Sequence, residues 1–122
     1  MTPHENPHES RDLPPRTFPI PILGCTARVE FFRYSNGWLC VALRVAETGE
    51  SLGRLSVVPV GAPEPRKGQF WAKTWSENEL IVPASLASGH FRRIEPRVVW
   101  PCGFVAAELW EIVPRSEVGG AA

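Results

Sequence analysis

Apolar side chains recur at every second position through the middle of the chain, and this alternation constrains the fold more than any other feature. A period of two is that of a β-strand, whose successive side chains point to opposite faces of a sheet. In the clearest run, the residues that share one face are Leu39, Val41, Leu43 and Val45. The pattern therefore predicts a fold built mainly from strands that each have one apolar face.

The same alternation predicts strands on both sides of this run. One lies at 27–32, one ends at Pro59, one spans 69–75, and one or two more lie within 97–113. Asn36-Gly37 is a strong signal for a hairpin with a type I′ turn, in which both central residues have positive φ. Short connections favour antiparallel neighbours, so we expect the first three or four strands to follow one another as a meander.

A helical segment is predicted after residue 75. Ser76 and Glu79 have the spacing of a capping box, in which the two side chains satisfy each other's backbone N–H groups. Pro83 inside a helix would cost about 3 kcal/mol or more. We therefore expect a capped turn over 76–82 and a separate short helix over 83–88 that ends at Gly89.

Prolines divide the chain into three parts, since six of them fall within the first 21 residues. Each removes a backbone donor and fixes φ, so neither a helix nor a central strand forms there. We expect a flexible Pro-rich arm over 1–21, from which Phe18 to Leu23 tuck onto the domain as an extended edge. The arm's repeated His4-Glu5 and His8-Glu9 pairs are interpreted as solvated.

The predicted fold class is accordingly α+β: mainly an antiparallel β-meander sheet, with one short helix and the N-terminal arm. A single domain is expected over 22–114, followed by a frayed C-terminal tail over 115–122. The three cysteines, at 25, 40 and 102, lack Cys-x-x-Cys or zinc spacing. They are expected to be reduced thiols, with one disulfide left open as an alternative.

Charge and hydropathy narrow the functional classes. The chain has 13 basic and 13 acidic residues and a formal net charge of zero, so no overall field attracts nucleic acid or an anionic membrane. No apolar run approaches the roughly 20 residues of a membrane span, and no signal-peptide core is present. These features predict a cytoplasmic protein, and no motif calls for a cofactor or a metal ion.

Two tryptophans of the predicted fourth strand indicate a protein-binding surface. If Phe70 and Ala72 point to the core, alternation places Trp71, Lys73 and Trp75 on the opposite face. Tryptophan is among the commonest interface anchors, and exposed apolar area usually marks a contact surface. In the alternative interpretation, the helix and the 97–113 segment cover both rings.

A second hypothesis is a nucleic-acid-binding module. Bases stack on exposed tryptophans at about 1–3 kcal/mol each, and flanking cations hold the phosphates. The cations in question are Arg92, Arg93 and Arg97. The neutral net charge argues against this hypothesis.

A third hypothesis, the least favoured, is a metal-dependent hydrolase. Paired carboxylates and a histidine serve acid–base chemistry or bind a divalent ion. The residues that would do so are Glu77, Glu79 and His90. Helix capping explains the two glutamates without any chemistry, and no nucleophile motif accompanies them.

Three short islands carry a resemblance to a known family. They are Tyr34-Ser35-Asn36-Gly37, Lys73-Thr74-Trp75-Ser76-Glu77-Asn78-Glu79 and Gly103-Phe104-Val105. Over 29–112 the chain resembles a family of small domains of unknown function found in phages, plasmids and other mobile bacterial elements. It departs from that family at Pro83, where an uninterrupted helix is expected, and in its tryptophan-rich end.

The resemblance implies a compact α+β domain that works in the cytoplasm of a bacterial host, and it brings no catalytic residues. Together with the tryptophans, it leads us to expect a non-enzymatic accessory protein of a mobile element that binds another protein. Countering a host defence system is the role that this setting suggests by association.

Overall fold

The fold, described for residues 16–120 by a computed structural model, consists of two antiparallel sheets and two short helices. Its strands are β1 (Arg16–Ile20), β2 (Cys25–Arg33), β3 (Leu39–Val45), β4 (Ser51–Arg54), β5 (Ser56–Val57), β6 (Gln69–Ala72), β7 (Phe91–Arg93), β8 (Val99–Cys102) and β9 (Val105–Ile112). The helices are α1 (Val82–Ala87) and α2 (Arg115–Gly120). This architecture confirms the predicted α+β class dominated by antiparallel strands.

The first sheet is a meander with the order β1-β2-β3-β4. Its register places inward-facing residues of β2 and β3 directly opposite one another, as in the pair Phe31 and Val41. Both of these side chains are fully buried. The alternation read from the sequence therefore gives the correct inner face for the central strands.

The second sheet has the order β5-β6-β9-β7, with β8 also beside β9. The sequence predicted one sheet, and the chain instead crosses between two at Leu55. The Leu55 N–H donates to the carbonyl of Val41 in the first sheet, and its carbonyl accepts from Lys73, which directly follows β6 of the second sheet, both at 2.8 Å. Strand alternation does not reveal such a crossing, because the period of two continues through it.

One apolar core lies between the sheets. Its aromatic part is a series of ring contacts from β1 to the second sheet, with Phe91 in edge contact with Phe18 and with Phe70. Phe70 in turn contacts Trp110 at a centroid separation of 6.1 Å. Aromatic pairs in this geometry stabilise a core by about 0.5–1.5 kcal/mol each beyond their buried area.

The predicted hairpin at Asn36-Gly37 forms, but its turn is not type I′. Gly37 has φ of +88°, whereas Asn36 is not among the residues with positive φ in the described part of the chain. The Gly37 N–H donates to the carbonyl of Tyr34, and the Asn36 side chain accepts from Trp38 N–H at 2.9 Å. The loop is thus one residue longer than a two-residue turn requires.

The ends of the domain differ in part from the prediction. Residues 16–20 of the expected arm form the edge strand β1, in which Phe18 and Ile20 are buried as expected, while Ile22 and Leu23 are exposed. Pro19 is tolerated because β1 is an edge strand. Residues 115–120 of the expected frayed tail form α2. The earlier part of the arm, with His4-Glu5 and His8-Glu9, lies outside the described residues.

The helical segment is divided before Pro83, as predicted, but the predicted capping box does not form. A 3₁₀ helix spans Ser76–Leu80 and α1 follows, with Pro83 in its first turn, where a missing N–H costs little. Ser76 has φ of +61° and no side-chain cap forms at this end. Ser76 thus has a left-handed backbone conformation rather than that of a helix cap, and Glu79 is exposed.

His90 joins β1 to the rest of the domain and makes stability depend on pH. Its Nε2 contacts the carbonyl oxygen of Thr17 at 3.2 Å, and its Nδ1 is buried without a partner. Burial lowers the pKa of His90, and the nearby charges of Arg16 and Arg115 lower it further, outweighing the bond to Thr17.

A histidine whose pKa is lower in the folded state takes up its proton more readily when unfolded. We therefore expect the melting temperature to fall as pH drops from about 6.5 through the folded-state pKa. The measurement is thermal unfolding between pH 8 and pH 5. His90→Gln, which carries no titrating group, should show a flatter profile; an unchanged profile would contradict the assignment.

Candidate protein-binding surface

Trp71 faces away from the core, as alternation predicts, and yet it is buried. Phe70 and Trp71 are 1% and 2% exposed, on opposite faces of β6. The loop after β5 covers the outer face, and the Trp71 Nε1 donates to the carbonyl oxygen of Pro63 at 3.0 Å. The prediction that Trp71 belongs to a solvent-facing surface is therefore wrong.

A second indole holds the same loop. Trp100 on β8 lies 6.3 Å from Trp71 between ring centroids, and its Nε1 donates to the carbonyl oxygen of Val60 at 3.1 Å. The backbone of the loop is thus fixed at two points, three residues apart. Val60, at the first of these points, is nevertheless 96% exposed.

Trp75 lies beyond the end of β6, which stops at Ala72, and it is half-buried. It borders an open groove of about 360 Å³ on the outer face of the second sheet. We call this the outer groove; its lining residues are Val57, Val58, Pro59, Val60, Trp75, Pro101, Cys102 and Gly103. None of them carries a charge.

The β8–β9 hairpin forms one wall of the outer groove. Its turn is Gly103-Phe104, because Cys102 and Val105 are paired directly opposite each other. Phe104 is fully exposed at the tip, Val105 is exposed next to it, and Val99 is exposed at the opposite end of β8. Residues 98–107 contain no charged side chain. We use the term apolar surface for the outer groove together with Phe104.

A second, polar groove of about 580 Å³ adjoins the outer groove, and the two share Val57 and Val58. Two of the three sequence islands meet here, since Tyr34, Ser35 and Asn36 lie opposite Lys73 and Glu77. These segments are nearly forty residues apart in the chain. Only the meeting of the two sheets brings them together.

Tyr34 forms the floor of the polar groove. Its hydroxyl and the Ser56 Oγ are 2.8 Å apart, and the same Oγ accepts from the Val41 N–H at 2.8 Å. Burial raises the pKa of Tyr34 to about 12, although the bond to Ser56 opposes this. The hydroxyl is therefore neutral at physiological pH. The Arg54 guanidinium lies 5.7 Å from the ring centroid.

Lys73, predicted to bind protein, lines the polar groove and forms an ion pair with Glu77 there. The Lys73 Nζ donates to the Glu77 Oε2 at 2.9 Å. This hydrogen bond is the main reason why the pKa of Glu77 is lowered to about 2. Glu77 is thus an ionised partner for Lys73 rather than a poised acid or base.

Asn78 fixes the backbone on both sides of this ion pair. Its Nδ2 donates to the carbonyl oxygens of Arg54 and Lys73, both at 2.8 Å, and the residue is 1% exposed. The Ser76–Leu80 turn is therefore held against β4 by a buried amide. This contact, rather than a helix cap, explains why a polar residue occupies the middle of the island.

The arginines of the nucleic-acid hypothesis lie together, but carboxylates face all three. Glu108 accepts from Arg93 at 3.0 Å and also from Arg97, while Arg92 pairs with Glu111 and Glu117. These pairs neutralise the positive charge that phosphate groups would need. The cluster therefore gives the nucleic-acid hypothesis no support.

The three residues of the hydrolase hypothesis lie apart and make unrelated contacts. Glu77 bonds to Lys73, Glu79 borders an apolar groove beside α1, and His90 bonds to Thr17. Within residues 16–120, no group of three His, Cys, Asp or Glu side chains is placed to hold a metal ion. Cys25, Cys40 and Cys102 form no disulfide in the described part of the chain; Cys40 is buried and the other two are half-buried.

Comparison of the chain with family models, with curated proteins and with solved structures gives no match. In the described range, neither helix combines the length and the apolar character that crossing a membrane would require.

The sequence does not predict the roles of Val60 and Phe104 in the apolar surface, or of Trp100, which holds its loop. Val60 lies in a segment whose prolines and glycines indicate only a loop. The signal for Phe104 and Trp100 was present, because residues 98–107 form the longest stretch without a polar or charged side chain in the chain's second half. Apolar stretches of this kind are usually core, so the run alone predicts burial.

Proposed function

We propose that this chain is a non-enzymatic protein-binding module that contacts its partner through the apolar surface. The observation that carries the proposal is the presentation of Val60, which is almost fully exposed on a loop that two indole N–H groups hold in place. A loop that is already held in place by the rest of the domain loses less conformational freedom when a partner docks on it. Exposed apolar side chains on fixed supports are typical of interface anchors.

The chemistry of the surface defines the partner. The outer groove has no charged lining residue, so an apolar and uncharged segment of a protein fits it best. The adjoining polar groove offers the Tyr34 hydroxyl and the Lys73–Glu77 pair as a polar rim. An apolar centre with a polar rim is the usual anatomy of a protein interface.

The resemblance of the three islands supports placing this module among the accessory proteins of mobile bacterial elements. Two of the islands border the polar groove, and the third forms the tip of the β8–β9 hairpin. All three therefore lie on or beside the proposed binding surface. A role in countering a host defence system remains a prediction from that setting.

The test is a capture experiment with tagged wild-type chain and two variants, Val60→Ser and Trp75→Ala. Each variant is expected to weaken binding of the captured partner at least about 30-fold, as for an interface anchor. Val60 is exposed, so its replacement should leave the melting temperature unchanged. Affinity is then measured by titration calorimetry with the purified partner.

Ile22→Ser is the matched control, because Ile22 is 70% exposed but lies in the separate groove beside α1. It should capture the same partner with wild-type affinity. An equal loss of partner binding with Ile22→Ser would contradict the proposal. So would unchanged binding with both Val60→Ser and Trp75→Ala. Retention of single-stranded DNA or RNA at low salt, lost as salt rises, would favour the nucleic-acid hypothesis instead.

A further inference from the structure

We infer that a second copy of this chain occupies the apolar surface, with Phe104 of each copy inserted into the outer groove of the other. The inference deepens the proposed function and rests on it, because it names the partner for the same surface. A two-fold axis between the copies would relate the two insertions. The resulting contact is isologous, the commonest kind in homo-oligomers.

The apolar surface carries both halves of such a contact. Phe104 projects fully exposed from the tip of the β8–β9 hairpin, while the outer groove beside it is open. Gly103 belongs to both features, since it precedes Phe104 and borders the groove. A projecting ring next to an apolar groove is self-complementary when a second copy is turned through a half rotation.

The absence of charge makes the apolar surface compatible with an identical partner. In an isologous contact each residue near the axis meets its own counterpart, so any charged side chain there would face a like charge. Residues 98–107 and the lining of the outer groove contain no charged side chain. The zero net charge of the whole chain removes long-range repulsion between copies as well.

The contact is expected to form by packing of side chains rather than by extension of the sheet. The outer edge of β8 contains Pro101, which has no N–H to donate to an added strand. Edge strands with proline resist pairing with another chain. At this end of the molecule, Phe104 and the groove are therefore expected to make the contact rather than the edge of β8.

The test is sedimentation velocity of the purified full chain over about 1 to 300 µM, the range that detects dimers of moderate affinity. The wild type should shift from one chain of 13.5 kDa towards twice that mass as concentration rises. Phe104→Glu should raise the dimer dissociation constant at least about 30-fold, because two carboxylates then face apolar grooves. Ile22→Glu, in the groove beside α1, should dimerise as the wild type does.

A wild-type chain that stays monomeric throughout, or a dimer that Phe104→Glu leaves intact, overturns the inference. Both variants change exposed side chains, so unchanged circular dichroism confirms that they fold. The capture experiment separates this failure from that of the proposed function. If the chain is monomeric but Val60→Ser still abolishes capture of another protein, the binding surface stands and only the identity of its partner is wrong.

Discussion

Glu108→Ala is expected to lower the free energy of unfolding by about 2–3 kcal/mol, because it removes the acceptor of a buried donor. Glu108 is 5% exposed, and its Oε1 accepts from the Trp110 Nε1 at 3.0 Å. The indole is completely buried, so no water replaces the lost acceptor. Arg93 and Arg97 lose the same partner but are solvent-exposed, and they can be solvated again. Urea unfolding at pH 7 gives the difference directly.

Glu111→Ala on the same strand is the matched control. Glu111 pairs with Arg92, which is half-exposed, and such pairs contribute about 0–1 kcal/mol. Glu108→Gln keeps an acceptor for the Trp110 indole and should fall between the two. Equal losses for Glu108→Ala and Glu111→Ala would contradict the role given to the buried indole.

The pH dependence of the Glu108 effect has a definite sign. Burial raises the pKa of Glu108, but hydrogen bonds from Arg97, Trp110 and Arg93 outweigh it and lower the pKa to about 2. A carboxyl with a lowered folded-state pKa stabilises above its unfolded value near 4.5 and loses that contribution as pH falls towards 2. The gap between wild type and Glu108→Gln should therefore close between pH 4.5 and pH 2.

Asn78→Ala is expected to lower the free energy of unfolding by about 2–3 kcal/mol, from two lost hydrogen bonds and a small cavity. The side chain joins the carbonyls of Arg54 and Lys73, and so ties β4 to the segment after β6. Chemical unfolding measures the loss. Hydrogen exchange of the Lys73 N–H, which donates to Leu55, should also become faster.

Glu79→Ala is the control for Asn78→Ala, because it lies in the same turn and is exposed. It should change stability by less than about 0.5 kcal/mol. A larger effect at Glu79 than at Asn78 would restore the capping box that the sequence predicts and the 3₁₀ turn contradicts. The comparison therefore distinguishes a helix cap from a buried tie between strands.

The features that the sequence predicted correctly depend on neighbouring residues. Alternation gave the inner faces of β2 and β3, Asn36-Gly37 gave the hairpin, and Pro83 gave the break before α1. Each follows from local backbone geometry, which a few adjacent side chains decide. The predictions of the turn type at Gly37 and of the cap at Ser76 were wrong. The same local sequence is compatible with a loop one residue longer at Gly37 and with a positive φ at Ser76.

The candidate surface was predicted only in part. Trp75 remains within it, whereas Trp71 is buried beneath the loop that carries Pro63. Lys73 stays at the rim as an ion pair with Glu77, whereas Arg92, Arg93 and Arg97 are paired with glutamates of β9 and α2. Which residues remain available for binding depends on neighbours that are distant in the chain.

By itself, the sequence of this protein determined the type and the inner face of its strands, since a period of two is a property of the strand alone. Only the tertiary structure decided that the strands divide into two sheets at Leu55, that Trp71 is covered, and that Val60 and Phe104 are left exposed. The physical reason is that the alternation of side chains distinguishes the two faces of a strand. Whether the second face is buried depends on which other segment packs against it. That choice is made by long-range packing, which no local run of residues encodes.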